Sequence, residues 1–157
     1  KLGFPMGIFE LADFTGMDVI HKATVEMHLR DKKVINPHKS IKKMFDDKKL
    51  GQKSGEGYYK YSDDKYERVE LSEELAQKCN PIQLVANVLN NAAWLITNGA
   101  SDVEEIEKAV KLGLGLRKPL FETAKEIGIQ NIINELNKLA QEHGEFYKPD
   151  PLLESMI

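Results

Sequence analysis

The sequence predicts an all-α protein that contains two copies of one helical unit and one small β-hairpin. Its long segments repeat their apolar residues at helical spacing, and the clearest such segment runs from 129 to 140. A short motif also occurs twice: Lys1-Leu2-Gly3 precedes Phe9-Glu10, and Lys111-Leu112-Gly113 precedes Phe121-Glu122. Phe9 and Phe121 lie 112 positions apart. Because solenoid repeats are only about 20 to 50 residues long, this period indicates a duplicated domain.

The first copy is predicted to hold three helices followed by the hairpin. A turn over 3–7 leads into a helix over 8–14, which Gly16 ends. A second helix covers 17–31, and a short third helix follows Pro37. The residues predicted to be buried are Ile20, Ala23, Thr24 and Met27 in the second helix and Ile41, Met44 and Phe45 in the third. After a loop over 51–57, segments 58–61 and 66–71 form the hairpin around the turn Ser62-Asp63-Asp64-Lys65.

The second copy is predicted to begin with the longest apolar helix. Ser72, with Glu73 and Glu74, caps a helical turn before Asn80-Pro81, and the long helix then runs over 81–98 until Gly99 ends it. Ser101 and Glu104 have capping-box spacing at the start of the next helix. The residues predicted to be buried there are Val103, Ile106, Ala109 and Val110. Those of the amphipathic helix that ends at His143-Gly144 are Ile129, Ile132, Ile133, Leu136, Leu139 and Ala140.

The composition argues against several functional classes. An apolar content of 41% and a charged content of 30% are those of an ordinary globular protein. The net charge of −3, with lysine pairs interleaved with acids, argues against nucleic acid as a partner. The longest apolar run, 82–96, is interrupted by Gln83 and by asparagines, so no membrane span is predicted. Cys79 is the single cysteine and cannot form an internal disulfide, which is compatible with a cytoplasmic location.

Two stretches resemble a known family. Residues 2–18, which contain Gly3-Phe4-Pro5-Met6-Gly7, are similar to the central motif of the C-terminal helical domain of 3-hydroxyacyl-CoA dehydrogenases. Residues 49–61, which contain Lys53-Ser54-Gly55-Glu56-Gly57-Tyr58-Tyr59, resemble the segment that closes the same domain. Their order and separation also match. The resemblance is strong over 1–61 and, through the internal repeat, weaker over 81–157, with 62–80 as hairpin and linker.

The resemblance implies an all-α domain of the kind found at the C-terminus of 6-phosphogluconate dehydrogenase, following a Rossmann domain that binds NAD. Tandem copies are similar to those of multifunctional fatty-acid oxidation enzymes, in which a dehydrogenase is fused to an enoyl-CoA hydratase. We therefore expect a fragment of a longer protein, in which the first copy lacks its first helix and the second is truncated. The family's catalytic His and Glu would lie upstream of Lys1, so we expect no catalytic residue, bound cofactor or metal in this chain, and no activity from it alone.

The expected function is that of the substrate-cleft and dimerisation region of an NAD-dependent 3-hydroxyacyl-CoA dehydrogenase of fatty acid β-oxidation, in a homodimer or pseudo-dimer. Two alternatives stay open: a non-catalytic docking or scaffold module, and the helical domain of another 3-hydroxy acid dehydrogenase. The second copy has Arg117-Lys118-Pro119 in place of Phe4-Pro5-Met6 and lacks the family's Asn-Arg motif. It is expected to be retained for packing.

The candidate residues for binding the 3-hydroxyacyl-CoA substrate are Phe4, Pro5, Met6 and Lys53. The first three are apolar enough to line an acyl-chain pocket, and core packing is the alternative for them. Lys53-Ser54 lies between Gly51 and Gly55 but lacks the spacing of a Walker A motif. Lys53 either meets a CoA phosphate or simply belongs to a glycine-rich turn.

Two other groups of polar residues have open interpretations. His21 and His28 lie seven positions apart with Glu26 nearby, which suggests a metal or acid–base site, or else surface or interface histidines. Glu10 and Asp13 share one face of their helix. They are either acids favoured by the helix dipole or groups that position others near the acyl cleft.

Overall fold

A computed structural model of the chain describes residues 4–63, 65–66 and 73–157. The helices among these residues are α1 (Ile8–Thr15), α2 (Met17–Arg30), α3 (Lys39–Asp46), α4 (Glu73–Gln77), α5 (Ile82–Thr97), α6 (Val103–Gly113), α7 (Leu120–Ile127), α8 (Ile129–His143) and α9 (Pro151–Glu154). The strands β1 (Tyr61–Ser62) and β2 (Lys65–Tyr66) form an antiparallel hairpin. The predicted all-α fold with one small hairpin is confirmed. Short 3-10 turns occur at Gln52–Ser54 and Glu145–Tyr147.

The chain divides into two compact units. The N-terminal unit is Met6–Leu71, and the C-terminal unit is Ser72–Ile157 together with Lys1–Pro5. Phe4 packs against the core of the C-terminal unit, although it precedes the N-terminal unit in sequence. This division differs from the sequence-based boundaries at 61 and 81, which stay a prediction.

The core of the C-terminal unit is built around α5. One face of α5 is buried against α7, α8 and α9, since apolar side chains recur there every three or four residues. The residues of α5 on this face are Val85, Ala86, Leu89, Ala92 and Ala93. On α8 the predicted residues Ile129, Ile132, Ile133, Leu136 and Leu139 are buried, whereas Ala140 is half-buried. Among the described residues, no helix combines the length and the apolar character that crossing a membrane requires.

The N-terminal unit consists of α1, α2 and α3 followed by the loop and hairpin. Met17, at the start of α2, is fully buried. The predicted buried stripe of α2 is wrong in part, because Ala23 is exposed and Met27 is 52% exposed. Within this unit α2 packs on α1 and α3. Because α1 and α3 are short, they cover only part of the circumference of α2. The side of α2 that carries Met27 is therefore exposed to solvent.

The pair α1 and α2 in one unit and the pair α7 and α8 in the other follow the same local path. α1 and α7 each have eight residues, and their first residues, Ile8 and Leu120, lie 112 positions apart. Each helix ends at a glycine with positive φ, 98° at Gly16 and 90° at Gly128, after which the next helix begins at once. A side chain at such a φ is strained, so glycine permits the sharp turn at both places. These matching turns support the proposed duplication.

The turn of the hairpin differs from the prediction. Tyr61 pairs with Tyr66 and Ser62 pairs with Lys65, so Ser62 and Lys65, which were predicted to be turn residues, belong to the strands. Asp63 has a φ of 51°, a left-handed conformation that Asp tolerates in tight turns. The predicted second strand beyond Tyr66, over 67–71, lies outside the described residues, as does the predicted cap Ser72.

The start of α6 also differs from the prediction. The N-cap is Asp102, whose carboxylate accepts a hydrogen bond from the Glu105 amide at 2.9 Å. Ser101, the predicted cap, instead donates to the Glu105 carboxylate at 3.1 Å. Of the predicted buried residues, Ile106 and Val110 are buried, whereas Val103 and Ala109 are exposed. A carboxylate next to the first turn is the stronger acceptor and is favoured by the helix dipole.

Candidate functional site

Buried Asp13 holds the tyrosine-rich loop against α1. Its carboxylate, in the last turn of α1, is 1% exposed. It accepts three hydrogen bonds, from the Tyr58 amide at 2.8 Å, the Tyr59 amide at 2.9 Å and the Tyr61 hydroxyl at 3.0 Å. A buried carboxylate is stable only when such bonds replace the water that it has lost. The three donors therefore fix the path of residues 58–61 on α1.

Two glycines permit the close approach of the loop to Asp13. A Cβ atom at Gly57 would lie 2.1 Å from Asp13 Oδ1, and one at Gly51 would lie 2.2 Å from the Asp13 carbonyl oxygen. Gly51 also has a φ of 94°, where a side chain is strained. At both positions any larger residue would push the loop away from α1. Gly51 and Gly57 therefore serve packing against α1.

The loop after α3 is also closed by its own hydrogen bonds. Gly51 and Glu56 pair as an antiparallel bridge. Ser54 Oγ accepts from the Leu50 amide at 2.8 Å and lies within hydrogen-bonding distance of the Gly51 and Glu56 carbonyl oxygens. Lys49 donates to the Glu56 carboxylate at 2.6 Å, and this bond lowers the pKa of Glu56 and raises the pKa of Lys49. The loop thus has a defined shape before any ligand binds.

The predicted phosphate-binding residue Lys53 forms an ion pair with Asp18 at the start of α2. The hydrogen bond from Lys53 lowers the pKa of the Asp18 carboxyl group. The Lys53 side chain is 46% exposed. An ammonium group has three donors, so Lys53 can bind a second acceptor without leaving Asp18.

Tyr61 is the third donor to Asp13 and has an altered acidity. Burial, followed by the hydrogen bond to the charged Asp13, raises the pKa of the Tyr61 hydroxyl well above its usual value. The Tyr61 ring also lies edge-on to the Tyr66 ring, with centroids 5.6 Å apart. Tyr61 therefore stays a protonated donor at neutral pH, and it joins the hairpin to α1.

The other predicted substrate-contact residues have different surroundings. Phe4 is partly buried against the core of the C-terminal unit, which agrees with the packing alternative for this residue. Pro5, also of that unit, is exposed and its ring approaches Gly115. Met6 is half-buried and, like Lys53, belongs to the N-terminal unit. The four residues thus do not come together within one unit, and their contact with substrate stays a prediction.

The two histidines of α2 have local packing partners. His21 stacks flat on Phe45 of α3, with ring centroids 4.5 Å apart. His28 Nδ1 lies 2.5 Å from the Val34 carbonyl oxygen, and His28 Nε2 lies 3.3 Å from Asn36 Nδ2. With Nδ1 protonated, His28 donates to Val34 and accepts from Asn36. His28 thus closes the turn after α2. In the part of the chain that the structure describes, no group of three metal-binding side chains is assembled.

Glu10 and Asp13 have separate roles, although they were predicted as a pair. The Gly7 amide donates to Glu10 at 3.3 Å, as expected for an acid in the first turn of a helix. The sequence interpretation missed the role of Asp13 as the loop anchor. A signal was present, since an acid near the C-terminal end of an apolar helix opposes the helix dipole. Such a residue needs donors from elsewhere in the chain.

Comparison with solved structures shows which fold the chain has. The crystal structure of 3-hydroxybutyryl-CoA dehydrogenase from Escherichia coli K12 has a TM-score of 0.73 at 20% identity, covering 99% of this chain and 52% of that one. The dehydrogenase part of multifunctional enzyme 1 from C. elegans has a TM-score of 0.61 at 23% identity, covering 98% and 39%. The fold is therefore one that occurs within CoA-linked dehydrogenases.

Sequence comparison then identifies the family. The model of the 3-hydroxyacyl-CoA dehydrogenase C-terminal domain matches residues 1–61 and 83–157, and the chain belongs to this family. It is 28% identical over its whole length to the fatty acid oxidation complex subunit alpha of Idiomarina loihiensis. Over 38% of its length it is 41% identical to the mitochondrial hydroxyacyl-coenzyme A dehydrogenase of Rattus norvegicus. The chain spans 24% and 19% of the lengths of these two relatives.

Proposed function

We propose that this chain is the C-terminal helical region of an NAD-dependent 3-hydroxyacyl-CoA dehydrogenase of fatty acid β-oxidation. In that enzyme it forms one wall of the substrate cleft and the contact between subunits. The observation that carries the proposal is the family match over both helical regions. The similarity over the whole chain to a fatty acid oxidation complex subunit supports the tandem arrangement.

In this proposal, the reaction needs groups that lie outside this chain. Oxidation of a 3-hydroxyacyl thioester requires a hydride acceptor, a base for the hydroxyl proton and donors for the thioester carbonyl oxygen. NAD is bound by a βαβ fold with a glycine-rich turn, and the described residues contain only a two-stranded antiparallel hairpin. The residues present therefore do not fit the cofactor. In this proposal a Rossmann domain of the parent protein binds NAD and carries the catalytic His and Glu.

The role proposed for the first helical region is to hold substrate-contacting residues in place. Phe4, Pro5 and Met6 contact the acyl chain, and Lys53 contacts a phosphate of CoA. The hydrogen-bonded loop supports the assignment of Lys53, because Asp13 binds its three donors and Asp18 orients Lys53. Charged groups bind a ligand phosphate better when they are held in position before it arrives.

We further propose the domain organisation that the sequence indicates. Residues 1–61 form the first repeat, 62–80 form the hairpin and linker, and 81–157 form the second repeat. The matching pairs α1 with α7 and α2 with α8 support it. In the second repeat no catalytic role is assigned. Its long apolar helix α5 and the buried face of α8 supply packing.

The proposal predicts that the isolated chain is inactive but contacts the substrate. Purified chain mixed with acetoacetyl-CoA and NADH should not oxidise NADH, because the domain that binds NADH and the catalytic His and Glu are proposed to lie outside the chain. Calorimetry with acetoacetyl-CoA should show saturable binding that Lys53→Gln weakens roughly tenfold, as expected for one charged contact. The matched control is Lys60→Gln, another exposed lysine of the same loop.

Measurable turnover by the isolated chain would contradict the absence of catalytic groups. Equal binding by the wild type, Lys53→Gln and Lys60→Gln would contradict the phosphate contact of Lys53.

A docking role is the second candidate, and one observation favours it. α1 and α2 expose several large apolar side chains, and such surfaces usually mark interaction sites. The exposed apolar side chains are those of Ile8, Phe9, Leu11, Phe14, Val19, Met27 and Leu29. In this alternative the chain contributes only contacts between subunits or domains. CoA esters should then fail to bind, while sedimentation of the chain should show association that Phe14→Asp abolishes.

A further inference from the structure

A basic cavity lies in the C-terminal unit, between the end of α6 and the loop before α7. Its volume is about 320 Å³. Lys108 and Lys111 line it from α6, and Arg117 and Lys118 line it from the loop. Leu116, which is 6% exposed, contributes an apolar wall. None of these residues belongs to the substrate-contact set proposed above.

The one carboxylate that lines the cavity is already engaged. Glu107 accepts hydrogen bonds from the Leu120 amide at 2.8 Å and from the Phe121 amide at 2.9 Å. It therefore caps α7, and the positive end of that helix offsets its charge. Lys111 lies one helical turn after Glu107. Among the described residues, however, there is no ion pair between these two side chains.

Most of the cationic groups of the cavity have no acidic partner among the described residues. Lys118 pairs with Glu126 of α7. Among the residues that the structure describes, Lys108, Lys111 and Arg117 have no ion-pair partner. Like charges held at one cavity repel each other, so a bound anion would stabilise this arrangement. Arginine and lysine together suit phosphate oxygens, since the guanidinium group binds two oxygens and the ammonium groups add point charges.

The position of the basic residues in the repeat adds a second argument. At the offset of 112 positions that relates Phe9 to Phe121, Arg117 and Lys118 stand where the first copy has Pro5 and Met6. Where the first copy has apolar residues, the second thus has two positive charges beside the lysines of α6. The cavity is larger than one phosphate group needs and is at the lower limit of small-molecule pockets, about 300 Å³.

We propose that this cavity is an anion site for a diphosphate group. Arg117 and Lys111 bind the phosphate oxygens, Lys108 adds charge, and Leu116 contacts whatever apolar or sugar group the diphosphate carries. The site does not depend on the dehydrogenase function proposed above, because none of its residues is among the four proposed substrate contacts. Free inorganic diphosphate and a nucleoside diphosphate share the recognised chemistry.

The test is calorimetric titration of the whole 157-residue chain with inorganic pyrophosphate and, separately, with ADP at the same ionic strength. We expect saturable binding at one site, weakened roughly tenfold by Lys111→Gln and by Arg117→Gln, as for loss of one charge-assisted contact. Tighter binding of ADP than of pyrophosphate identifies a nucleotide as the source, and the reverse identifies free diphosphate. Lys138→Gln, an exposed lysine of α8 away from the cavity, should bind like the wild type.

Four results would overturn the proposal. The first is that neither ligand binds saturably at about 10 mM, a concentration well above the Kd of a specific small-ligand site. The second is that sulfate binds as tightly as pyrophosphate. The others are that Lys138→Gln weakens binding as much as the cavity variants do, and that both cavity variants bind like the wild type. Lys111 and Arg117 are exposed, so their variants should fold. Amide NMR spectra of each variant check this, and in the wild type they should show ligand-induced shifts confined to residues 107–119.

Discussion

At the scale of single residues, Asp13 determines the geometry of a loop far from it in sequence. Its carboxylate binds two amides and one hydroxyl that lie 45 to 48 positions along the chain. Each hydrogen bond to a charged group contributes about 1.5 to 3 kcal/mol, and desolvation of the carboxylate offsets part of that. Replacing the acceptor leaves buried donors unpaired, which costs more than the lost bonds alone.

Asp13→Asn should destabilise the chain by about 2 to 3 kcal/mol, because the amide group presents a donor to donors. Urea unfolding measures the loss, and hydrogen exchange should show faster exchange of the Tyr58 and Tyr59 amides. The matched control is Asp63→Asn, since Asp63 is exposed in the hairpin turn and Asn tolerates its positive φ. Unchanged exchange of the two amides in Asp13→Asn would show that the carboxylate does not hold the loop.

Tyr61 gives the same cluster a dependence on alkaline pH. Its pKa in the folded chain is raised by burial and by Asp13, whereas an unfolded tyrosine titrates near 10. The stabilisation that comes from a raised pKa in the folded state is fully present below about pH 10, and it is lost as the pH rises above that value. The free energy of unfolding should therefore fall above about pH 10, and Tyr61→Phe should reduce that fall. Parallel pH slopes for the wild type and the variant would contradict this role for Tyr61.

The sequence predicted residues with unequal success, and the reasons are physical. The buried residues of α8 were predictable because a regular apolar period needs only local geometry. Asp13 was not, because its donors are distant in sequence and only the folded chain brings them to it. Lys53 was correctly placed in a turn, but its pairing with Asp18 could not be read from spacing.

At the scale of elements, helix ends depend on which side chain reaches the first free amides. Asp102 caps α6, although the spacing of Ser101 and Glu104 resembles a capping box. Ser101 and Asp102 both precede α6, so the sequence pattern alone allowed either of them as the cap. Glu107 shows a less local solution, since a side chain of α6 caps α7 from thirteen residues away.

Asp102→Ala should destabilise the C-terminal unit by about 1 kcal/mol, the usual cost of a lost N-cap. Thermal unfolding of the variant measures the change. Ser101→Ala is the matched control and should change stability by less than half as much, because Ser101 contacts only the exposed Glu105 side chain. A larger effect for Ser101→Ala than for Asp102→Ala would restore Ser101 as the cap.

At the scale of the whole molecule, the two repeats differ in how well their apolar faces are covered. In the C-terminal unit α5 lies against α7, α8 and α9, and Leu120 and Leu139 are buried. The residues at the same offset in the N-terminal unit, Ile8 and Met27, are 48% and 52% exposed. The all-α class and the helix order were predictable from periodicity. This difference in cover was not, because it depends on which helices pack together.

The long reach of Asp13 also has a consequence for the order in which the chain folds. The helix that carries Asp13 is complete by Thr15, yet its carboxylate has no loop donor until Tyr58, Tyr59 and Tyr61 have been synthesised. Contacts between distant positions form slowly, since a long loop must close first. A nascent chain that does not yet include Tyr58, Tyr59 and Tyr61 would hold α1 with the unpaired Asp13 carboxylate on its packing side. We therefore expect the N-terminal unit to fold late in its own synthesis and in one cooperative step.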